Sequence, residues 1–388
     1  MKKHYLALAI SSVFAAPAAF ADVAVGPFAI YGTLQSAVEF VNVESNGVVL
    51  ANTAVSQTRL ADQGSKIGFK VKHDLGNGMF GLAQIESRVY LGNNGSATDN
   101  KAEWGGRNTF AGLGSSTLGT VRMGRYDNAY KLSSKLMGAL RDNLNDSSDD
   151  TGDKQILNRL GARQGDILAY ESPNFGGVSV LASYNMGKDS TGTATDLMTQ
   201  LAFGVGYKAG PFSVGVGTTS LNNAAWQLNT SSAAKATNYT GGKSLQAWQV
   251  GAGYTFGDFK IGVVTERTNS SLVNGKDGTK PLEFDLYQTS HGVVGAYQAG
   301  PMNVEVRWAM ADDVSGTANG VSTGAGADTG ANQMGIAMGY QLQKNVKLIG
   351  SYTRVDNRTN ASYTSYSGFT LAKGVDMNQL ALGLAVSF

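Results

Sequence analysis

Two groups of charged residues have the clearest chemical potential in this sequence. Basic side chains fall on predicted strand positions at Lys66, Lys70, Arg107 and Arg122, with Arg125 close behind. The long polar stretch 126–162 carries acidic side chains, among them Asp127, Asp142, Asp146 and Asp149. Facing one another across water, such groups create a field that orients ions and polar solutes without making or breaking bonds.

Bond-making chemistry is poorly supported by the rest of the sequence. Cysteine is absent, which excludes thiolate nucleophiles and thiolate metal sites. His73 and His291 are the only histidines beyond the N-terminal segment, and neither lies in a recognisable nucleophile motif. The glycine-rich stretch 316–330 lacks the lysine of a phosphate-binding loop. We predict that the protein is not an enzyme and that it uses no cofactor or metal.

The N-terminal segment has the parts of a secretory signal peptide. A basic start with Lys2 and Lys3 precedes an apolar stretch over residues 6–20, and small residues mark a cleavage site after Ala21. We therefore expect a signal peptide over residues 1–21 and one mature domain over residues 22–388. Losing the two lysines lowers Lys+Arg from 31 to 29, against 29 Asp+Glu, so the mature charge is zero. That balance gives no support for nucleic-acid binding.

Alternating apolar residues recur along most of the chain. In the stretch 379–388, bulky apolar residues occupy every even position from Leu380 to Phe388, with small or polar residues between them. Because successive strand side chains point to opposite faces, such a segment has one apolar and one polar face. The pattern recurs about sixteen times, whereas no apolar run after Ala21 approaches the roughly 18 residues of a spanning helix. A closed barrel is then the remaining way to cross a membrane.

The connections between these segments alternate in length. Short turns lie near 74–78, 173–177, 209–211, 257–258, 299–301 and 341–345, and long polar stretches near 42–63, 91–103, 126–162, 187–197, 221–243, 268–281, 311–331 and 356–376. Short turns on one rim and long loops on the other are typical of outer-membrane barrels. We predict an all-β fold, a transmembrane antiparallel β-barrel of about sixteen strands. An exported sandwich or propeller is the alternative, disfavoured by the one-sided long loops and the aromatic residues at strand ends.

Several short motifs follow one another in a specific order and spacing. They are Tyr31-Gly32-Thr33, Ser65-Lys66-Ile67-Gly68-Phe69-Lys70, Asp74-Leu75-Gly76-Asn77-Gly78, Gly119-Thr120-Val121-Arg122-Met123-Gly124-Arg125, Tyr170-Glu171-Ser172-Pro173-Asn174-Phe175-Gly176-Gly177 and Phe388. Through them the chain resembles the Gram-negative general porins of the neisserial and other β-proteobacterial type. One departure is the extra stretch Val23-Ala24-Val25-Gly26-Pro27 before the predicted first strand.

The resemblance implies a water-filled barrel in the outer membrane that assembles as a homotrimer. It implies that the third external loop, residues 126–162, folds into the lumen as a constriction loop. It also implies that Phe388 serves as the signal read by the barrel-assembly machinery, and that Lys66 and Arg107 occupy positions where relatives carry barrel-wall arginines. The implied partners are further copies of the chain, outer-membrane lipid, and small hydrophilic solutes and ions.

The predicted function is general diffusion of small hydrophilic solutes and ions, with a weak preference for anions. The side chains predicted to face inward include more basic than acidic groups. The basic ones are Lys66, Lys70, Lys72, Arg88, Arg107, Arg122, Lys208, Lys260, Arg307 and Lys347, and the acidic ones are Glu39, Glu86, Glu266 and Glu305. A solute-specific channel using Tyr126 and Tyr130 is the alternative, and a barrel hydrolase or an adhesin is less favoured.

Overall fold

The computed structural model describes residues 23–25, 27–47, 56–91, 104–137, 156–187, 198–222, 243–277, 280–318, 321–322, 326–364 and 371–388. The predicted signal peptide, residues 1–21, lies outside these ranges and stays a prediction. Within them the chain forms twenty strands and one helix, α1 (Ala129–Leu136). The strands are β1 (Val23–Val25), β2 (Phe28–Glu44), β3 (Gln57–Asp62), β4 (Lys66–Gly76), β5 (Met79–Arg88), β6 (Thr109–Ser115), β7 (Gly119–Asp127), β8 (Arg163–Glu171), β9 (Val178–Asn185), β10 (Gln200–Ala209), β11 (Phe212–Asn222), β12 (Lys243–Phe256), β13 (Phe259–Asp277), β14 (Lys280–Ala299), β15 (Met302–Ala311), β16 (Ser315–Ala318), β17 (Val321–Ser322), β18 (Ala331–Gln343), β19 (Val346–Asn357) and β20 (Asp376–Ser387).

The twenty strands make a closed ring of sixteen, as the sequence predicts. Strands β3 and β4 both pair with β2 and form one barrel strand that is interrupted at residues 63–65. Three short strands are additions to the ring: β1 folds back on β2, and β16 and β17 pair beside β14 in a long-loop region. Every other strand pairs antiparallel with its neighbour in sequence or across these additions.

The ring is closed by β2 and β20, which pair along most of their length from Thr33↔Ser387 to Glu44↔Asp376. Beyond this register, the amide of Phe388 donates to the carbonyl of Gly32 at 3.0 Å, and the amide of Gly32 donates back at 2.9 Å. A Cβ at Gly32 would overlap the Phe388 ring, so glycine is what allows that ring to lie flat against the strand. Closure pairs the first long strand with the last, so neither is left as an open sheet edge on that side.

The outer surface of the barrel is apolar, as the alternating pattern predicts. Large hydrophobic side chains stay exposed along the even positions of β20 and along the matching face of β15, where Leu382 and Val306 are both 54% exposed. At the short-turn rim, the rings of Phe256, Phe259 and Tyr297 lie against one another at 5.5 and 4.5 Å between centroids. An apolar band edged by aromatic residues matches the surface that a lipid bilayer requires.

The short turns use residues that tolerate a left-handed backbone. Between β4 and β5, Gly76, Asn77 and Gly78 have φ angles of 81°, 53° and 75°. Glycine and asparagine are the residues that adopt this conformation at least cost, which explains the sequence of the turn. A further short turn, residues 116–118, joins β6 to β7 and was not among the predicted turns.

One predicted long loop is mostly strand in the structure. The prediction of a loop over residues 268–281 is wrong, because β13 and β14 continue their pairing to Asp277↔Lys280 with a register shift after Leu272. The stretch opens with Thr268-Asn269-Ser270-Ser271, and polar residues of this kind suit strands that extend beyond the apolar band into water.

The extra stretch before the first long strand has a structural role. Strand β1 pairs with the start of β2, from Val23↔Ile30 to Val25↔Phe28, beside the point where β20 ends.

Within the described ranges, no helix combines the length and the apolar character that a membrane span requires.

Candidate functional site

Helix α1 lies inside the barrel, at the start of the long connection between β7 and β8. It packs on inward-facing glycines of β10, where a Cβ at Gly204 would stand 2.6 Å from Ser133 Cβ and one at Gly206 would stand 2.5 Å from Leu136 Cβ. Two small residues therefore allow a helix to approach the wall closely. The prediction that the third external loop folds into the lumen is confirmed for this part of the loop.

Polar contacts hold α1 against the wall. Asn128 caps the helix, because its side-chain oxygen accepts the Lys131 amide at 2.8 Å. From β12, Gln249 donates to the carbonyl of Tyr130 at 2.7 Å and to the hydroxyl of Ser133 at 2.9 Å. Tyr130 is fully buried, and burial next to the Glu266 carboxylate raises the pKa of its hydroxyl well above the ordinary value. Hydrogen bonds from β12 thus fix the helix on the inner wall.

The returning end of the same connection is anchored on β13. Glu266 is 1% exposed, and its carboxylate accepts the amides of Asn158 at 2.6 Å and Arg159 at 3.3 Å. The carbonyl of Leu160 accepts from Asn128 at 3.0 Å and from Gln200 at 2.9 Å. Both described ends of the connection are therefore tied to the inner wall rather than left in solvent.

The wall along β4 and β5 carries a compact charge cluster around Glu86. Arg107 Nε lies 2.7 Å and Lys66 Nζ lies 3.5 Å from its carboxylate oxygens. The hydroxyl of Tyr31 donates to the same carboxylate at 2.9 Å. Lys70 lies two inward positions further along β4, beyond Gly68, with its Nζ 5.1 Å from the centre of the Tyr31 ring. The structure thus brings three of the predicted basic residues to one face.

Arg122 forms a second cluster on β7. Its Nη1 lies 3.0 Å from a carboxylate oxygen of Glu171, which also accepts the Tyr126 hydroxyl at 2.6 Å. The Arg122 guanidinium lies 4.9 Å from the ring centre of Tyr126 and 5.4 Å from that of Phe110. Cation–π contacts of this kind hold a guanidinium in place without neutralising its positive charge.

Two predicted site residues have local structural partners. Arg125 lies at a bulge in β7 and donates to the carbonyl of Gly106 at 2.7 Å, beside the neighbouring connection. Asp127 is buried and pairs with Arg163 at 3.3 Å and Lys131 at 3.4 Å. The negative charge of Asp127 is therefore balanced by these two cations at the start of the third external loop. Asp142, Asp146 and Asp149 lie outside the described residues, so their predicted place in the constriction stays a prediction.

The sequence reasoning missed two ion pairs of the same wall. Arg59 Nε lies 2.7 Å from Glu39, and Arg88 Nε lies 3.7 Å from Asp62. Arg59 and Asp62 were assigned to a loop, since the interruption at residues 63–65 hides the alternation of β3. Together, the Glu86 and Arg122 clusters and these two ion pairs contain six basic groups and four carboxylates, an excess of two positive charges within this set. The basic groups are Arg59, Lys66, Lys70, Arg88, Arg107 and Arg122, and the carboxylates are Glu39, Asp62, Glu86 and Glu171.

The two sides of the lumen differ in their access to water. On the side of β4 to β8, the side chains of Lys66, Arg107 and Arg122 are 21, 15 and 14% exposed. On the opposite side, inward polar residues such as Gln249 and Gln288 are 2% exposed or less, because the internal segments cover them. The side of β4 to β8 is therefore the one whose charged groups keep access to water, and these include the carboxylate of Glu171.

An apolar outer band, a closed ring of sixteen strands and a charged inner wall define a membrane-spanning β-barrel with an internal loop. The family model described as Gram-negative porin matches residues 7–360 of the chain. The chain belongs to this family of outer-membrane β-barrels.

Curated relatives are outer-membrane proteins of Neisseria. The major outer membrane protein P.IB of Neisseria meningitidis serogroup A is 30% identical over 220 residues, which cover 56% of this chain and 59% of that protein. The major outer membrane protein P.IA of N. meningitidis serogroup C is 32% identical over 199 residues, 46% of this chain and 45% of that protein. The matched stretches thus span less than two thirds of these relatives.

Solved structures share the fold over almost the whole chain. An anion-selective porin from Comamonas acidovorans has a TM-score of 0.68 at 20% identity, covering 93% of this chain and 99% of that chain. In-vitro folded OmpT of Vibrio cholerae has a TM-score of 0.63 at 15% identity, covering 94% of this chain and 99% of that chain. At these identities the similarity concerns the barrel fold.

Proposed function

We propose that the protein is a general diffusion porin: a water-filled outer-membrane channel for small hydrophilic solutes and ions, with a weak preference for anions. The observation that carries the proposal is the partly exposed basic wall of β4 to β8, which carries Lys66, Arg107 and Arg122. A surplus of positive charge beside the accessible lumen attracts anions and repels cations. The transport is passive, and the protein is neither an enzyme nor a nucleic-acid-binding protein.

The proposal includes the assembly of the protein. Residues 1–21 direct export, Phe388 is recognised by the barrel-assembly machinery, and the mature barrel sits in lipid as a homotrimer. Support comes from the apolar outer band and from the family, and one solved OmpT structure is described as a trimer form. The anion preference agrees with that of the structurally similar porin from Comamonas acidovorans, which is described as anion-selective.

Conductance of the purified protein in a planar lipid bilayer tests the proposal. We expect insertions that raise the current in groups of three equal steps, and a reversal potential in a salt gradient that shows anions to be more permeant. A barrel without steady current would contradict the channel, and a cation preference would contradict the role given to the basic wall.

A solute-specific channel is the second candidate, supported by the aromatic cluster in which Phe110 meets Tyr126 edge to face and Arg122 lies over the Tyr126 ring. Tyr130 gives no support to it, because that side chain is fully buried between α1 and the inner wall. Block of the current by micromolar sugar, phosphate or amino acid would favour a specific site. Uptake that falls smoothly with solute size would favour general diffusion.

A further inference from the structure

The described residues of the connection between β19 and β20 fold into the barrel, although this connection lies on the long-loop rim. Among its described residues, 358–364 and 371–375, the side chains of Tyr363, Leu371 and Val375 are 5% exposed or less. Connecting segments normally run over the surface, so burial of three large side chains needs a cavity to receive them. The receiving cavity is the lumen.

The buried side chains pack against the inner wall and against the third external loop. They share one apolar cluster with the inward-facing Val264 and Val294 and with Ile156 and Leu157 from the returning end of that loop. Apolar packing of this kind removes water from the space between the segments. The two connections therefore cover the same part of the wall together.

A polar bridge joins the two connections above this cluster. The Tyr363 hydroxyl donates to the side-chain oxygen of Gln288 on β14 at 2.8 Å, and the guanidinium of Arg159 donates to the same oxygen. The Arg159 guanidinium also lies 5.5 Å from the centre of the Tyr363 ring. Tyr363 thus touches both the wall and the third loop.

The base of the connection is ordered by one side chain at the end of β19. Asn357 donates to the carbonyls of Tyr363 at 2.9 Å and Val375 at 2.8 Å, and its oxygen accepts the Tyr363 amide at 2.8 Å. One asparagine therefore sets the direction in which Tyr363 enters the lumen.

We propose that these residues form a second internal loop, in which Tyr363 positions the third loop over Glu266 and so sets both the width and the ion preference of the channel. The proposal rests on the proposed channel function. While Arg159 and Asn158 stay in place, the Glu266 carboxylate is covered by their amides. Once they move away, a carboxylate faces the permeating ions, opposite the basic wall.

The test compares the wild-type trimer with the Tyr363→Ala variant in planar bilayers. We expect a larger single-channel conductance, because the lumen beside β13 opens. We also expect the anion-to-cation permeability ratio to fall by about two- to fivefold, because one uncovered carboxylate acts on ions within a few ångströms. Adding Glu266→Gln to this variant should restore the anion preference while the conductance stays high, which a purely structural defect would not produce.

The matched control is Tyr184→Ala, which removes the same side chain from the lipid-facing surface of β9. We expect wild-type conductance and selectivity from it. Should Tyr363→Ala fold poorly, Tyr363→Phe keeps the ring, removes only the hydroxyl bond to Gln288 and should show the same shifts to a smaller extent. Unchanged conductance, or a wider channel with unchanged selectivity, would overturn the second internal loop, whereas a wild-type protein without current would instead remove the channel function.

Discussion

At the scale of single residues, Glu86 organises the basic wall. Its carboxylate forms ion pairs with Arg107 and Lys66 and accepts a hydrogen bond from the Tyr31 hydroxyl, so that one carboxylate holds two cations close together. Strand alternation was sufficient to predict that Lys66 and Lys70 point inward. It could not predict their partners, because Tyr31 and Arg107 come from other strands and connections, and their meeting depends on barrel register.

Replacing Arg107 by glutamine should weaken the anion preference. A unit charge at about 4 Å is worth roughly 1 kcal/mol in water, so we expect the anion-to-cation permeability ratio to fall by about two- to fivefold. Reversal potentials in a dilute salt gradient measure this change, and the shift should shrink near 1 M salt, where the screening length is about 3 Å.

The control for this change is Arg267→Gln, which removes the same charge from the outward face of β13, where Arg267 lies 3.8 Å from the centre of the Tyr287 ring. It should leave the permeability ratio unchanged. Glu86→Gln should shift the ratio the other way. A loss of anion preference in both arginine variants would mean that the charge acts through the whole molecule and not through the wall.

At the scale of elements, the main difference between prediction and structure concerns helix α1 and the strands on which it packs. The sequence predicted a polar loop over residues 126–162, and its acidic residues suggested a surface facing the basic wall. The structure instead shows a helix whose polar side chains, such as Ser133, are buried on glycines of β10. These glycines alternate with large residues along β10, and alternation alone does not distinguish a plain polar strand face from a surface on which a helix packs.

Gly206→Ala should displace α1. The new Cβ would stand 2.5 Å from Leu136 Cβ, so the helix must move, at a cost of about 1–3 kcal/mol if it behaves like other overpacked sites. We expect a lower midpoint of thermal unfolding in detergent and an altered single-channel conductance. Gly295→Ala on β14 meets no atom within 4 Å and should leave both quantities unchanged. Equal effects of the two substitutions would show that these glycines are needed for the conformation of the strand backbone and not for the close approach of α1.

At the scale of the whole molecule, the barrel was largely predictable and its interior was not. The alternation of apolar residues, as in the stretch 380–388, fixes which face meets lipid, and this requires no knowledge of neighbours. The filling of the lumen depends on contacts between segments far apart in sequence, such as Tyr363 with Gln288. No local pattern marks Tyr363 as an inward residue, since it lies in a polar stretch rich in serine and threonine.

Phe388→Ala should distinguish a role of the aromatic ring in membrane insertion from a role in the stability of the closed barrel. The backbone bonds between residue 388 and Gly32 do not need the ring, so the purified variant should refold in detergent to the same heat-resistant form as the wild type. In cells, we expect a clear fall in the folded protein recovered from the outer membrane, because the ring is the proposed recognition signal. Normal recovery from cells would refute that role, and failure to refold in detergent would assign the ring to closure instead.

The pairing of β2 with β20 has a consequence for biogenesis. Thr33 and Ser387, whose hydroxyls lie 3.2 Å apart, are separated by 354 positions in sequence. The seam between β2 and β20 cannot close before the whole chain has been made. Until it closes, the unpaired strand exposes a row of backbone donors and acceptors that can bind another strand, including one from a second nascent copy. Pairing between such distant segments forms slowly and exposes the chain to aggregation, so we expect the yield of folded protein to depend on holding chaperones.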